Sequence, residues 1–161
     1  MQLVVDVGNT ETVVGLATST TELAAHWRVS SSVPRTVDEM TALIRAFLSG
    51  DNVDVDRIER GVVGSVVPSL NHVWMKTLGE IVRGEVIAVG PSSGLPIELD
   101  VEEPLSVGAD RIVNTLAARE LYARDTIAVD LGTATTFDCI TSEGVFCGGV
   151  ISPGLNAGLE W

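Results

Sequence analysis

Asp6-Val-Gly-Asn-Thr10 and Asp130-Leu-Gly-Thr-Ala-Thr135 are the two stretches that decide the fold. Each starts with an aspartate at the end of an apolar strand-like run, Gln2–Asp6 in one case and Thr126–Leu131 in the other. Each continues with a glycine, which lets the backbone turn sharply and approach a ligand without a Cβ. Asn9, Thr10 and Thr133 then offer side-chain donors, and successive turn amides can form an anion-binding nest. Both turns lead into a second strand. The two aspartates lie 124 positions apart. Taken singly, either stretch is also readable as an ordinary hairpin turn. As a matched pair they indicate an internal duplication and two hairpins able to grip a polyphosphate, with aspartates suited to hold a hard cation or its waters.

Outward from these hairpins, the first 90 residues read as βββαβαβ. Strands are expected at Gln2–Asp6, Thr12–Ala17, Glu22–Ser30, Gly61–Val67 and Glu85–Val89. Thr36-Val-Asp-Glu39 fits a capping box ahead of Met40, Leu43, Ile44, Phe47 and Leu48 at helical spacing, with Gly50 as a stop. Pro68 ends a strand, and Ser69 is placed to cap a second helix reaching about Val82. The Gly-, Pro- and Ser-rich run 91–106 reads as a connection between a first unit, 1–90, and a second, 107–161. In the second unit the pattern predicts a helix at Val107–Tyr122 and strands at Thr126–Leu131, Thr135–Ile140 and Val145–Ile151. The fold class is therefore α/β with duplicated lobes.

Composition bounds the function. Of the 161 residues, 45% are apolar and 20% charged, enough for a real core, and the net charge is −12. So acidic a surface repels phosphate backbones, which argues against a nucleic-acid partner. No basic leader or membrane-length apolar run is visible, and two cysteines suit a reducing, cytoplasmic setting. Cys139 and Cys147 read as buried free thiols. His26 and His72 are isolated, with no spacing suited to zinc, and the lysine-containing P-loop pattern is absent.

Gly108-Ala-Asp110-Arg111 opens the predicted helix of the second unit. A helix N-terminus attracts anions. Asp110 in the first turn can accept a proton from a substrate hydroxyl, and Arg111 can form a two-pronged bond to a carboxylate or phosphate. Composition alone favours the plainer reading, in which Asp110 is only a helix-start residue and Arg111 pairs on the surface. A third glycine cluster, Gly148-Gly-Val-Ile-Ser-Pro-Gly154, could approach the base or ribose of a nucleotide, or be a strand end and turn.

Taken in order, the motifs resemble those of the type III pantothenate kinases. The resemblance rests on Asp6–Thr10, His26-Trp-Arg28, Arg35–Glu39, Ser65–Pro68, Gly108-Ala-Asp-Arg-Ile-Val-Asn114, Asp130-Leu-Gly-Thr-Ala-Thr-Thr-Phe-Asp138 and Gly148–Gly154. It implies duplicated actin/hexokinase-like (ribonuclease H-like) lobes, with ATP between them, and transfer of a phosphoryl group to the primary hydroxyl of pantothenate, the first step of coenzyme A biosynthesis. ATP with Mg2+ would meet Asp6, Val7, Gly8, Asn9, Thr10, Glu11, Thr12, Val13 and Thr133. Asp110 would be the base. Val101, Gly108, Ala109, Asp110 and Arg111 would bind pantothenate, and Asp130 would hold a monovalent cation, K+ or NH4+. The family implies a homodimer. Three departures stand out. Glu11 replaces a frequent asparagine. Val101 stands at the place of a substrate-contacting tyrosine. Family members continue well beyond position 161, so the second lobe reads as truncated, with an exposed apolar sheet and reduced stability or activity. The alternatives are a non-catalytic accessory or binding protein of the same family, an inactive fragment, or another phosphotransferase of this fold.

Overall fold

The structure is a computed structural model that describes residues 1–20 and 22–154. The chain divides into two compact units, Met1–Val89 and Gly90–Trp161.

In the first unit, β1 (Gln2–Val7), β2 (Glu11–Ala17) and β3 (Leu23–Ser30) form an antiparallel meander. Its tight links permit no other direction. Helix α1 (Val37–Gly50) then crosses over to β4 (Arg60–Ser65), and α2 (Pro68–Gly79) to β5 (Val86–Val89), giving parallel β1–β4 and β4–β5 pairs. The strand order is β3-β2-β1-β4-β5. Alternate residues of β1 and β2 (Leu3, Val5, Val7, Val14 and Leu16) are buried with Ile44 and Leu48 of α1 and Trp74 and Leu78 of α2. Trp27 stacks on Phe47 at 5.9 Å and donates its indole N–H to Asp51 at 2.8 Å.

The expected capping box is present. The Glu39 amide donates to the Thr36 hydroxyl, and the Thr36 amide donates to the Glu39 carboxylate at 2.7 Å. The bond from the Thr36 amide holds the Glu39 pKa below its ordinary value. A cap of this kind contributes about 1 kcal/mol to a helix. The second helix starts differently from the expectation. Pro68 occupies its first turn, Val67 is the N-cap, and no side chain caps it. Proline fits there because the first-turn amide it lacks has no intrahelical partner.

In the second unit, β7 (Thr126–Leu131), β8 (Ala134–Ile140) and β9 (Val145–Pro153) repeat the antiparallel meander, preceded by α3 (Ala109–Tyr122). A two-residue strand, β6 (Glu98–Leu99), pairs parallel with β9, giving the order β6-β9-β8-β7. The segment 91–106 read as a connection thus contributes a strand to this sheet. Helix α3 covers one face, where Ala118, Ile140 and Phe146 are buried with Leu99, Val101 and Ala128 packed against them.

The opposite face is open. Leu3, Val5 and Val7 of β1 are 0, 3 and 0% exposed, whereas their repeat counterparts Ile127, Val129 and Leu131 are 64, 52 and 67% exposed. Phe137 and Val150 continue this uncovered apolar face. Cys139 and Cys147 are free and exposed. The expectation of buried thiols fails because α3 packs on the other side of the sheet.

Candidate functional site

The first hairpin is closed by the Gly8 amide, which donates to the Glu11 carbonyl at 3.1 Å. A Cβ on residue 8 would lie 2.8 Å from that carbonyl oxygen, so the turn needs glycine. The Ser31 amide donates to the Thr10 carbonyl at 3.0 Å, tying the turn to the end of β3. Asp6, Asn9, Thr10 and Glu11 are exposed around the turn, and Val13 is half-buried. Val7 and Thr12 face inward: Val7 is in the core, and the Thr12 hydroxyl shares a 2.8 Å hydrogen bond with Ser31. Those two residues support the loop from within the paired strands.

Glu11, the departure that adds charge beside this loop, is paired with Arg28 at 2.9 Å. Glu11 lies opposite Ser30, and Arg28 opposite Val13, so the two side chains meet diagonally on one face of the β2–β3 pair. Both are more than half exposed, so the pair adds little stability. Its effect is to offset the local negative charge. Arg28 was quoted in the sequence only as part of a motif; its strand spacing from Glu11 was the available signal.

The second hairpin repeats the device. The Gly132 amide donates to the Ala134 carbonyl at 3.0 Å, and Thr133 and Asp130 are exposed beside it. Gly154 backs onto this turn, where any Cβ would collide with the Gly132 and Thr133 carbonyls. Gly149 opposes Asp138 in the β8–β9 ladder, and a Cβ there would lie 2.4 Å from the Phe137 carbonyl and 2.6 Å from Asp138 Oδ1. Gly149 and Gly154 of the third glycine cluster thus pack against the protein's own β8 and second hairpin, while Gly148 has only Val101 near it.

Helix α3 begins at Gly108 with no side-chain cap. Ala109 is buried, while Gly108, Asp110 and Arg111 are partly exposed. The Arg111 amide donates to Asp110 Oδ1 at 2.8 Å, which holds that carboxylate at the helix start. The Arg111 Nε lies 3.5 Å from Asp138 Oδ1, and its guanidinium sits over the Phe146 ring, 5.9 Å from the centroid. Asp138 is fully buried. Burial raises its pKa, Arg111 opposes the shift, and the negative charges of Asp110 and Asp130 add to it. Val101 is half-buried and packs into the α3-side cluster, leaving only part of its side chain for a substrate.

The donor set suits the groups the motifs imply. In the first unit Asp6 and Thr10, and in the second Asp130 and Thr133, lie exposed beside a tight glycine turn, and each set by itself is of the kind that suits phosphate oxygens and a hard cation. Among the described residues, no three histidine, cysteine, aspartate or glutamate side chains gather as a metal cluster. Oxygens from the nucleotide and water would have to complete the coordination. No helix among the described residues is long and apolar enough to cross a membrane.

Comparison with solved structures supports the fold. The chain aligns over 94% of its length with a putative 2-dehydro-3-deoxygalactonokinase from Sinorhizobium meliloti at a TM-score of 0.55 and 10% identity, covering 53% of that chain. It aligns likewise with a ROK family glucokinase from Streptomyces griseus solved with glucose and AMPPNP, at a TM-score of 0.50 and 15% identity, covering 47%. At such identities these matches show the actin-like α/β fold alone.

Sequence relatives are nearer. Type III pantothenate kinases from Moorella thermoacetica and Syntrophotalea carbinolica are 41% and 46% identical over 157 residues, 96% of this chain. The alignments cover 61% and 60% of those proteins, so the chain spans about three-fifths of their length. The type III pantothenate kinase family profile matches residues 2–160. With both repeated hairpins and the Gly108–Arg111 helix start in place, the chain belongs to the type III pantothenate kinase family.

Proposed function

We propose that this chain carries the nucleotide and substrate residues of an enzyme that phosphorylates the primary hydroxyl of pantothenate with MgATP, giving 4'-phosphopantothenate. The observation that supports the reading is the helix start of the second unit: Asp110 and Arg111 open α3, and the Arg111 amide donates to Asp110 Oδ1 at 2.8 Å. The hydroxyl oxygen attacks the γ-phosphorus, its proton passes to the Asp110 carboxylate, and the bond to the β,γ-bridging oxygen breaks to release ADP. Such transfer depends mainly on positioning and charge neutralisation. The Asp6–Val13 hairpin and Thr133 bind the phosphates through backbone amides and hydroxyls. Asp130 would hold a K+ or NH4+ ion, which would supply further positive charge beside the phosphates. Gly108–Arg111 and the exposed part of Val101 receive pantothenate. Magnesium, when bound with the nucleotide, supplies charge neutralisation at the leaving phosphates. The same reading places the protein in the cytoplasm as a homodimer.

The uncovered apolar face of the second sheet favours one further reading, a binding module that holds nucleotide without turnover. A coupled ADP-release assay separates the two. It is run with and without pantothenate and K+, on this chain and on a form extended to the length of its relatives. The kinase reading predicts ADP release that requires pantothenate and is stimulated by K+. Nucleotide binding with no pantothenate-dependent release from either form would leave the binding-module reading standing.

A further inference from the structure

Asp138 has no role in the chemistry described above, yet the fold commits three elements to it. It projects from β8 onto the face covered by α3 and is 0% exposed. Gly149 stands opposite on β9, where any side chain would fill the space its carboxylate occupies. Arg111 reaches it from the first turn of α3, with the guanidinium over Phe146 of β9. Neither Asp138 oxygen nor Arg111 Nη2 makes a hydrogen bond of full geometry among the described residues, although all three atoms are buried; the Asn114 side chain adds a weaker favourable contact to Asp138. A buried, incompletely satisfied ion pair is a poor stabiliser, since desolvation offsets most of the attraction. What it does provide is direction. An arginine side chain has several rotatable bonds, and fixing it beforehand removes an ordering cost from ligand binding.

We propose that Asp138 is a positioning residue: with the Phe146 ring, it fixes the Arg111 guanidinium so that the part of the side chain left exposed faces the substrate's carboxylate. This rests on the assignment of pantothenate as substrate, and the test is arranged to separate the two claims. Binding of pantothenate, and of pantothenol, which has an alcohol in place of the carboxylate, is measured by calorimetry on the chain and on Asp138→Asn. In parallel, the rate of Arg111 modification by phenylglyoxal is followed by peptide mass spectrometry.

The proposal predicts that Asp138→Asn weakens pantothenate about tenfold or more, the scale of a lost charge-assisted contact, leaves pantothenol and nucleotide binding unchanged, and speeds modification of Arg111. Equal weakening of both ligands, or an unchanged modification rate, overturns it. If neither the unsubstituted chain nor the form extended to the length of its relatives binds either ligand, the substrate assignment falls, and the modification rates alone decide whether Asp138 orients Arg111. Should Asp138→Asn unfold, Phe146→Leu keeps the carboxylate and removes the ring. It must then show the same selective loss and faster modification, or the proposal fails.

Discussion

Asp110→Asn lowers pantothenate phosphorylation by about 10²–10⁴-fold, the range that a positioned general base contributes, and leaves nucleotide binding intact. The substitution is nearly isosteric. The Arg111 amide that donates to Asp110 Oδ1 can donate equally to an asparagine carbonyl, so the helix start is preserved. What is lost is the capacity to take a proton. Removing this charge also lowers the Asp138 pKa, because Asp110 is one of the groups that push it up. Steady-state kinetics with pantothenate, together with calorimetric titration of an ATP analogue, check both parts. Normal turnover in the variant would remove Asp110 from the role of base.

Gly149→Ala destabilises the second unit by on the order of 3 kcal/mol, the upper part of the usual range for overpacking. The new methyl group would meet the Phe137 carbonyl, the Asp138 carboxylate and the Asp138 Cα together, and two of these are backbone atoms held in the β8–β9 ladder. A flexible side chain could move aside; this ladder cannot without breaking register. Gly90→Ala is the matching control, since a Cβ there meets nothing within 4 Å. Urea unfolding of both variants should show a loss only for position 149. Equal stability of the two would mean that β8 and β9 are less tightly held than the structure shows.

Local signals carried most of the fold. The Thr36–Glu39 capping box and the apolar spacing after it placed α1, because both act within a few residues. The two aspartate-glycine hairpins were legible because tight turns constrain residue type. Non-local features were not. β6 is two residues long in a stretch rich in turn-formers, and it exists only because β9 presents an edge to Glu98 and Leu99. The start of α2 was displaced because Pro68 is as acceptable in a helix's first turn as it is disruptive in a strand. The exposure of Cys139 and Cys147 depends on which sheet face α3 chooses, and strand alternation alone does not say. In the site, Asp110 and Arg111 were legible from the helix start, whereas the burial of Asp138 beneath Arg111 requires α3, β8 and β9 together.

Under the proposed function, each of the repeated hairpins, Asp6–Thr10 and Asp130–Thr135, meets the phosphates of a nucleotide. Amide NMR shifts during titration of the chain with Mg-AMPPNP test this most directly. Gly8, Asn9 and Thr10 should shift as the nucleotide saturates, and Gly132 and Thr133 should shift with the same affinity. Saturable binding that leaves either hairpin's amides unmoved would contradict it.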